Sequence, residues 1–249
     1  MTDIEIARQG RVQTVRFARP QRKNAITRAM YQAMADAVAN ADGDEAIGAT
    51  VFLGQPECFT SGNDLMDFMA VAQGGEHGRE VVSFLRAIIG GAKPLVSAVD
   101  GLAVGVGTTM LMHCDLVFAS PRAWLQTPFV DLGLVPEAGS SLVAPAIMGH
   151  QNAFRMLALG ERFTAAEAQA AGLVNRVVEP DELEAVAMDA AERLAAKPPE
   201  ALAISRRLIR GDRDAVMSRM EEEGRIFGER LRSDEARNAF MAFMQRKAG

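Results

Sequence analysis

The sequence predicts an α/β fold on three observations. Short β-rich runs alternate with segments of helical apolar spacing over most of the chain. Two stretches of glycine and small polar residues each lie between a predicted strand and a predicted helix. From Glu200 onward, helical periodicity continues with no strand-like segment. With 249 residues, one large core fits, together with a small appendage. At 49% hydrophobic and 24% charged, there is enough apolar material to offset chain ordering, so wholesale disorder is excluded.

The elements follow in order. Residues 3–8 and 11–18 alternate apolar with polar around Gln9-Gly10, a hairpin pattern. Thr27 suits the cap of a helix to about Asp42, because Ile26, Met30, Met34 and Val38 recur at helical spacing. Ala49–Leu53 reads as a buried strand. A helical stretch from Leu65 to Gly91, with Gly74-Gly75 inside it, leads to a strand at Leu95–Val99. A glycine-rich turn at 101–107 precedes a short helix, strands near Leu116–Ala119 and Trp124–Gln126, and helices near 138–148 and 151–159. Thr164-Ala-Ala-Glu167 is a capping-box pattern. Pro180-Asp-Glu starts a helix to about Ala196, where Lys197-Pro198-Pro199 stops it. That proline pair divides the expected domains: 1–197 as the core and 198–249 as a helical subdomain with breaks at Gly211 and Ser233.

Charge and composition exclude several partners. Lys plus Arg total 27 against 32 Asp plus Glu, and the net charge of -5 has the wrong sign for a phosphate-backbone binder, so no nucleic acid is expected. The N-terminus lacks a secretion pattern, and the most apolar stretch, Gly101 to Met112, is shorter than the roughly 20 residues of a membrane span. Two cysteines, Cys58 and Cys114, fit reduced thiols; a cytoplasmic location and no membrane association are therefore expected. His113-Cys114-Asp115 contains metal-capable side chains, but strand neighbours point to opposite faces and no second cluster completes a site, so no metal is expected. His77 and His150 accompany no nucleophile signature.

Three segments could carry chemistry. Asp100-Gly-Leu-Ala-Val-Gly105-Val-Gly107 suits a backbone cradle for an anion or oxyanion, or plain close packing; it matches neither a P-loop nor a dinucleotide fingerprint. Phe59-Thr-Ser-Gly-Asn-Asp-Leu65 suits an exposed turn and cap. Glu137 follows Pro136, a pairing that also commonly begins a helix with the carboxylate facing the dipole.

Taken in order, Arg19-Pro-Gln-Arg-Lys-Asn-Ala-Ile26, Phe59–Leu65, Asp100–Gly107 and Leu132-Gly-Leu-Val-Pro-Glu-Ala-Gly-Ser-Ser141 resemble the enoyl-CoA hydratase/isomerase (crotonase) superfamily. The resemblance extends through Leu159-Gly-Glu-Arg-Phe-Thr and Ala171-Gly-Leu-Val-Asn. It implies a spiral of ββα turns, a C-terminal helical trimerisation region giving a homotrimer or a dimer of trimers, and acyl-CoA thioesters as ligands. No separate cofactor is implied, coenzyme A being part of the substrate.

Matching the motifs residue by residue, the resemblance implies that the backbone amides of Asn63 and Val106 form an oxyanion hole. It places Lys23, Ala25 and Ser61 along the adenine and pantetheine, and Met66, Phe68, Leu85 and Met110 near the acyl chain. Gly62, Asp64, Leu65, Gly105, Thr109 and Phe129 complete the expected substrate contacts. Hydratases of the superfamily carry two glutamates, whose places here are taken by Thr109 and Phe129, so the paired carboxylates for adding water are missing. Thr127-Pro-Phe, Pro136-Glu137-Ala-Gly-Ser-Ser, Ser61-Gly-Asn-Asp64 and His113-Cys-Asp115 are similar to the peroxisomal-type Δ3,Δ2-enoyl-CoA isomerase branch, whose base matches Glu137. A 3-enoyl to 2-enoyl shift by that single glutamate is the expected activity. The alternatives are a hydratase, another enolate-forming member, or a non-catalytic acyl-CoA-binding or RNA-binding member. Burial would raise the pKa of Glu137, opposed by the positive end of the following helix. Asp64 and Asp131 are rival carboxylates, Asp64 as a helix cap and Asp131 supporting the Glu137 loop or facing water.

Overall fold

The computed structural model describes residues 3–64, 66–67 and 78–248. The hairpin of β1 (Ile4–Gln9) and β2 (Val12–Phe17) forms as expected and is antiparallel. Helix α1 (Arg28–Gly43) is capped by Thr27, whose hydroxyl accepts from the Met30 amide, and it buries Met30, Met34 and Val38. Next come β3 (Ala49–Leu53), β4 (Cys58–Thr60), α2 (Arg79–Gly90), β5 (Leu95–Val99), β6 (Leu102–Val104) and the single turn α3 (Val106–Thr109). A 3-10 turn at Met110–His113 leads to β7 (Leu116–Ala119) and β8 (Trp124–Gln126). Then follow α4 (Ser140–Leu157), β9 (Phe163–Thr164), α5 (Ala165–Ala170), β10 (Arg176–Val177) and α6 (Leu183–Ala195).

The strands form two sheets. The larger runs β1-β2-β3-β5-β7-β10, parallel from β2 onward; the smaller runs β4-β6-β8-β9, parallel except for its last pair. Three successive turns of chain therefore repeat one path. Each lays a strand in the larger sheet, a strand in the smaller one, then a helix: β3-β4-α2, β5-β6-α3 and β7-β8-α4. This is the spiral of ββα turns. Because each step is parallel, the residues that leave β4, β6 and β8 all emerge at one end of the smaller sheet.

All five residues of β3 are buried, as a central parallel strand requires. Ala49, Val51 and Leu53 face α6, which meets them with Ala187, Ala191 and Ala195 at four-residue spacing. Phe52 joins the main core, which α1, α2 and α4 also supply, and burying such a ring stabilises by roughly 1.5–3 kcal/mol. The C-terminal region contains α7 (Pro199–Arg210), α8 (Arg213–Leu231) and α9 (Asp234–Ala248), separated at Gly211 and Ser233. Helix α8 packs on α2 and α4, and its Met220 and Leu231 belong to the main core.

Some expectations need correction. The segment 101–107 is not wholly a turn, since Leu102–Val104 pairs between β4 and β8. Helix α4 starts at Ser140, with Gly139 as its cap, so Pro136-Glu137 does not begin it. His113 ends a 3-10 turn rather than lying in a strand. By contrast, the expectation of two helices at 138–148 and 151–159 holds, because the helical run α4 is broken at Gly149, whose φ of 75° and ψ of 159° are non-helical.

Candidate active site

Between α1, α2, α8 and the Glu137 loop lies a cavity of about 900 Å³, counting the space at its open mouth. Its walls are mostly apolar: Ile26 before α1, Val81 and Leu85 on α2, and Met220, Phe227 and Leu231 on α8. Tyr31, Asn63 and Glu137 bring polar groups to it, and Arg28 and Asp67 join its lining. The Arg28 amide donates to the Asp67 carboxylate at 3.0 Å, and its guanidinium pairs with Glu80 at 2.9 Å.

Asn63 is positioned by main chain. Ile26 donates to the Gly62 carbonyl at 2.8 Å and accepts from the Asp64 amide at 3.0 Å, a parallel bridge that turns the Asn63 amide away from Ile26. The preceding loop is latched by fully buried Asn24, whose Nδ2 donates to the Cys58 and Phe59 carbonyls at 2.9 and 3.0 Å. Val106 begins α3, where a first-turn amide has no partner inside the helix. Two glycines let the segments meet. A Cβ on Gly62 would stand 2.7 Å from the Val104 carbonyl oxygen, and one on Gly107 would stand 2.4 Å from Thr60 Cγ2. Among the described residues, no backbone hydrogen bond is donated by Asn63 or Val106.

Glu137 is positioned differently. It lies in a loop ahead of α4, where Ala138 and Gly139 both adopt left-handed backbone, with φ of 65° and 71°. Its residue is only 9% exposed, and Thr109, one turn after Val106, donates its hydroxyl to Oε1 at 2.5 Å. Burial pushes the carboxyl up to about 7; the Thr109 hydrogen bond opposes this, and the charge of Glu223 adds to it. Tyr31 donates to the Asn63 side-chain oxygen, and burial together with the Glu137 charge holds its phenol well above the ordinary value.

Two further side chains hold this loop. His113 Nε2 donates to the Ala138 carbonyl at 2.7 Å; burial keeps its imidazole down at about 4, so it is the neutral ring that donates. Glu223 of α8 accepts from the Gly139 amide at 2.6 Å and the Ser141 amide at 2.9 Å. The start of α4 is thus occupied by Glu223, not by Glu137. The negative charge of Glu223 acts on Glu137 in the same direction as burial.

Residues 7–248 match the family described as Enoyl-CoA hydratase/isomerase. The chain belongs to this family. Enoyl-CoA delta isomerase 2 of Rattus norvegicus is 38% identical over 250 residues, covering 98% of this chain and 64% of the rat protein. The chain therefore spans less than two-thirds of that relative's length. A probable enoyl-CoA hydratase of Rhizobium meliloti is 28% identical over 240 residues, covering 96% of this chain and 93% of its own. Among solved structures, Pseudomonas aeruginosa OdaA superposes with a TM-score of 0.93 at 42% identity, covering 98% of this chain and 99% of that one. The crotonase-like spiral of ββα turns followed by helices is thus the fold of this member of the family.

The structure brings some residues of the family motifs together and separates others. Glu137, Asn63 and Leu85 line one cavity, and Thr109 binds Glu137. Phe129 is buried and meets Phe227 of the cavity wall edge to face, with ring centroids 6.5 Å apart. Lys23 and Ser61 are adjacent, the Ser61 amide donating to the Lys23 carbonyl at 2.9 Å, with Ala25 in the same loop. Gly62 and Gly105 flank the two amide segments. Met110 is core and Met66 is 71% exposed; neither lines the cavity. Asp64 pairs with Arg19 at 2.6 Å and accepts from the Met66 amide, which holds its carboxyl below the usual range. Asp131 is exposed. Leu65, Phe68 and His77 lie outside the described residues. Among the described residues, no group of acidic, His and Cys side chains could hold a metal ion, and no helix is long and apolar enough to cross a membrane.

Sequence reasoning missed Tyr31, His113 as a loop support, and Glu223. Two of them carried a faint signal. Tyr31 is the single tyrosine, on the apolar face of α1. Glu223 stands three residues after Met220 and four before Phe227, a charge on an apolar stripe.

Proposed function

We propose that this protein is an acyl-CoA isomerase that moves a 3-enoyl double bond to the 2-enoyl position with Glu137 as its one acid-base group. The observation that carries the reading is the Glu137 carboxyl, buried, pushed up to about 7, and sharing a cavity with Asn63. A base poised near neutral pH serves both halves of a proton shuttle. The carboxylate takes a proton from C2 of the substrate. The electron pair spreads through the C3–C4 double bond and the thioester carbonyl, giving a dienolate whose oxygen bears the charge. The amides of Asn63 and Val106 are the donors for that oxygen, and one such donor is worth about 3 kcal/mol to the transition state. Glu137 then returns the proton to C4, leaving the double bond between C2 and C3. No atom is gained or lost.

Thr109 and Phe129 at the places of the hydratase glutamates support isomerisation over hydration, because neither side chain activates water. The apolar wall of α2 and α8 suits a fatty chain. For assembly, the reading is a homotrimer or dimer of trimers through the 198–249 region; exposed Ile204, Leu208 and Ile209 on α7 support a partner there.

The test offers the protein a 3-enoyl-CoA and, separately, a 2-enoyl-CoA, following the ultraviolet absorbance of the conjugated thioester. Gain with the first and no loss with the second is expected. Comparable hydration of the 2-enoyl substrate would replace the reading with a hydratase, and no turnover of either would leave a binding member of the family.

A further inference from the structure

We infer that Glu223 is a positioning residue for Glu137: its buried side chain fixes the 137–141 loop through two amides and, when ionised, sets a negative charge beside the base. The inference deepens the isomerase reading and rests on it for its consequence in turnover.

The geometry carries it. Glu223 is 5% exposed, a burial a carboxylate tolerates only with partners, and both of its oxygens are engaged, by Gly139 and by Ser141. These amides flank Ser140, the first residue of α4. Glu137 is two residues before the first amide, across left-handed Ala138, so its carboxyl direction follows from how Gly139 is held. A helix start left uncovered would favour the ionised form of a nearby carboxyl. Glu223 covers that start and supplies the opposite charge.

The groups facing Glu137 are few on every side. Tyr31 comes from α1 and stays a neutral phenol; Thr109 comes from α3 and is neutral; His113 follows α3 and is neutral above about pH 4. Arg219, one turn before Glu223 on α8, donates to Ser141 Oγ at 3.2 Å and favours the ionised form of Glu223. Arg28 binds Asp67 through its amide and Glu80 through its guanidinium. Among the described residues, Glu223 is therefore the charged side chain that acts on Glu137, and burial and Glu223 both push it the same way.

The same helix supplies Met220, Gly224 and Phe227 to the cavity wall. Seating of an acyl chain against α8 and placement of the base are thus mechanically joined.

The test is Glu223→Gln in the full chain. Glutamine keeps the shape but removes the charge and offers one acceptor where two amides need one each. The carboxyl carbon resonance of Glu137, in protein labelled with carbon-13 at glutamate side chains and assigned by its loss in Glu137→Gln, reports the titration without turnover. Its midpoint, about 7 in the parent, moves to lower pH in Glu223→Gln, and the plateau turnover falls about tenfold with KM within twofold. Arg219→Gln, on a half-exposed side chain, removes the cation that favours ionised Glu223, so Glu223 keeps its proton to higher pH and the Glu137 midpoint again moves down, which keeps the test open if Glu223→Gln melts early. A midpoint unmoved in the folded variants overturns the inference. Shifted midpoints in a protein that turns over no enoyl-CoA would keep Glu223 in its role and remove the isomerase reading instead.

Discussion

The two parts of the site are held by different means. The segments that carry the Asn63 and Val106 amides are fixed chiefly by main chain, through a parallel bridge to Ile26, strand pairing of β4 with β6, and the close approach that Gly62 and Gly107 permit, with the Asn24 and Thr60 side chains bonding main chain just before Asn63. The Glu137 loop takes its bonds from side chains of other elements: Thr109, His113 and Glu223, the last from 86 residues along the chain by sequence number. A scaffold made of backbone tolerates changes in the side chains it carries, provided no Cβ is added where two chains touch. One made of side chains depends on each of them.

Substitutions can break either half of this comparison. Glu137→Gln carries the largest effect. Turnover should fall by about a thousandfold with acyl-CoA affinity retained, measured by steady-state rates and calorimetric binding, because the shape stays and the basicity goes. The same variant has a stability signature. An unfolded glutamate ionises near 4.5, whereas buried Glu137 does so at about 7, so the parent loses stability as pH rises between those values and stays lower above them. Melting curves should show Glu137→Gln more stable than the parent at pH 8 by about 3 kcal/mol, and the two alike near pH 4.

Next in size is Gly107→Ala. Its methyl would meet Thr60 Cγ2 at 2.4 Å and spread the two amide segments, costing about 1–3 kcal/mol by denaturant unfolding and about a hundredfold in turnover. Val106→Ala, at the neighbouring position, changes a side chain but not an amide, and its turnover should stay within about threefold of the parent. Equal losses in the two variants would remove the distinction between backbone and side-chain support.

A smaller effect than that of Gly107→Ala belongs to Thr109→Val. Removing the hydroxyl withdraws a hydrogen bond that favours the ionised carboxylate, so the midpoint of the rising limb of kcat/KM moves above about 7 and the rate at pH 6 falls about tenfold. A midpoint moved downward would reverse the role given to this hydroxyl.

Much of the first half of this contrast was legible from residues alone. Thr27 announced α1, the run 49–53 announced a buried strand, and Gly211 and Ser233 marked the breaks among the last helices. The two- and three-residue strands β4, β6, β9 and β10 were not, since two or three residues are too short to show a period and owe their pairing to neighbours. The place of Glu137 was readable through its resemblance to a family motif, but its surroundings were not. Glu221, Glu222 and Glu223 look alike in sequence, and only the packing of α8 against α4 chooses which one is buried. The reading of Pro136-Glu137 as a helix start failed for the same reason: Ala138 is held left-handed by contacts from elsewhere in the fold.

Helix α8 carries the cavity wall and the loop's counter-charge within two turns, from Met220 to Phe227. On the isomerase reading proposed above, tail preference and base strength are inherited as a linked pair. A graft of residues 213–231 from a relative would transplant both traits at once, and a lineage drifting toward bulkier or shorter fatty chains would retune its proton chemistry along the way.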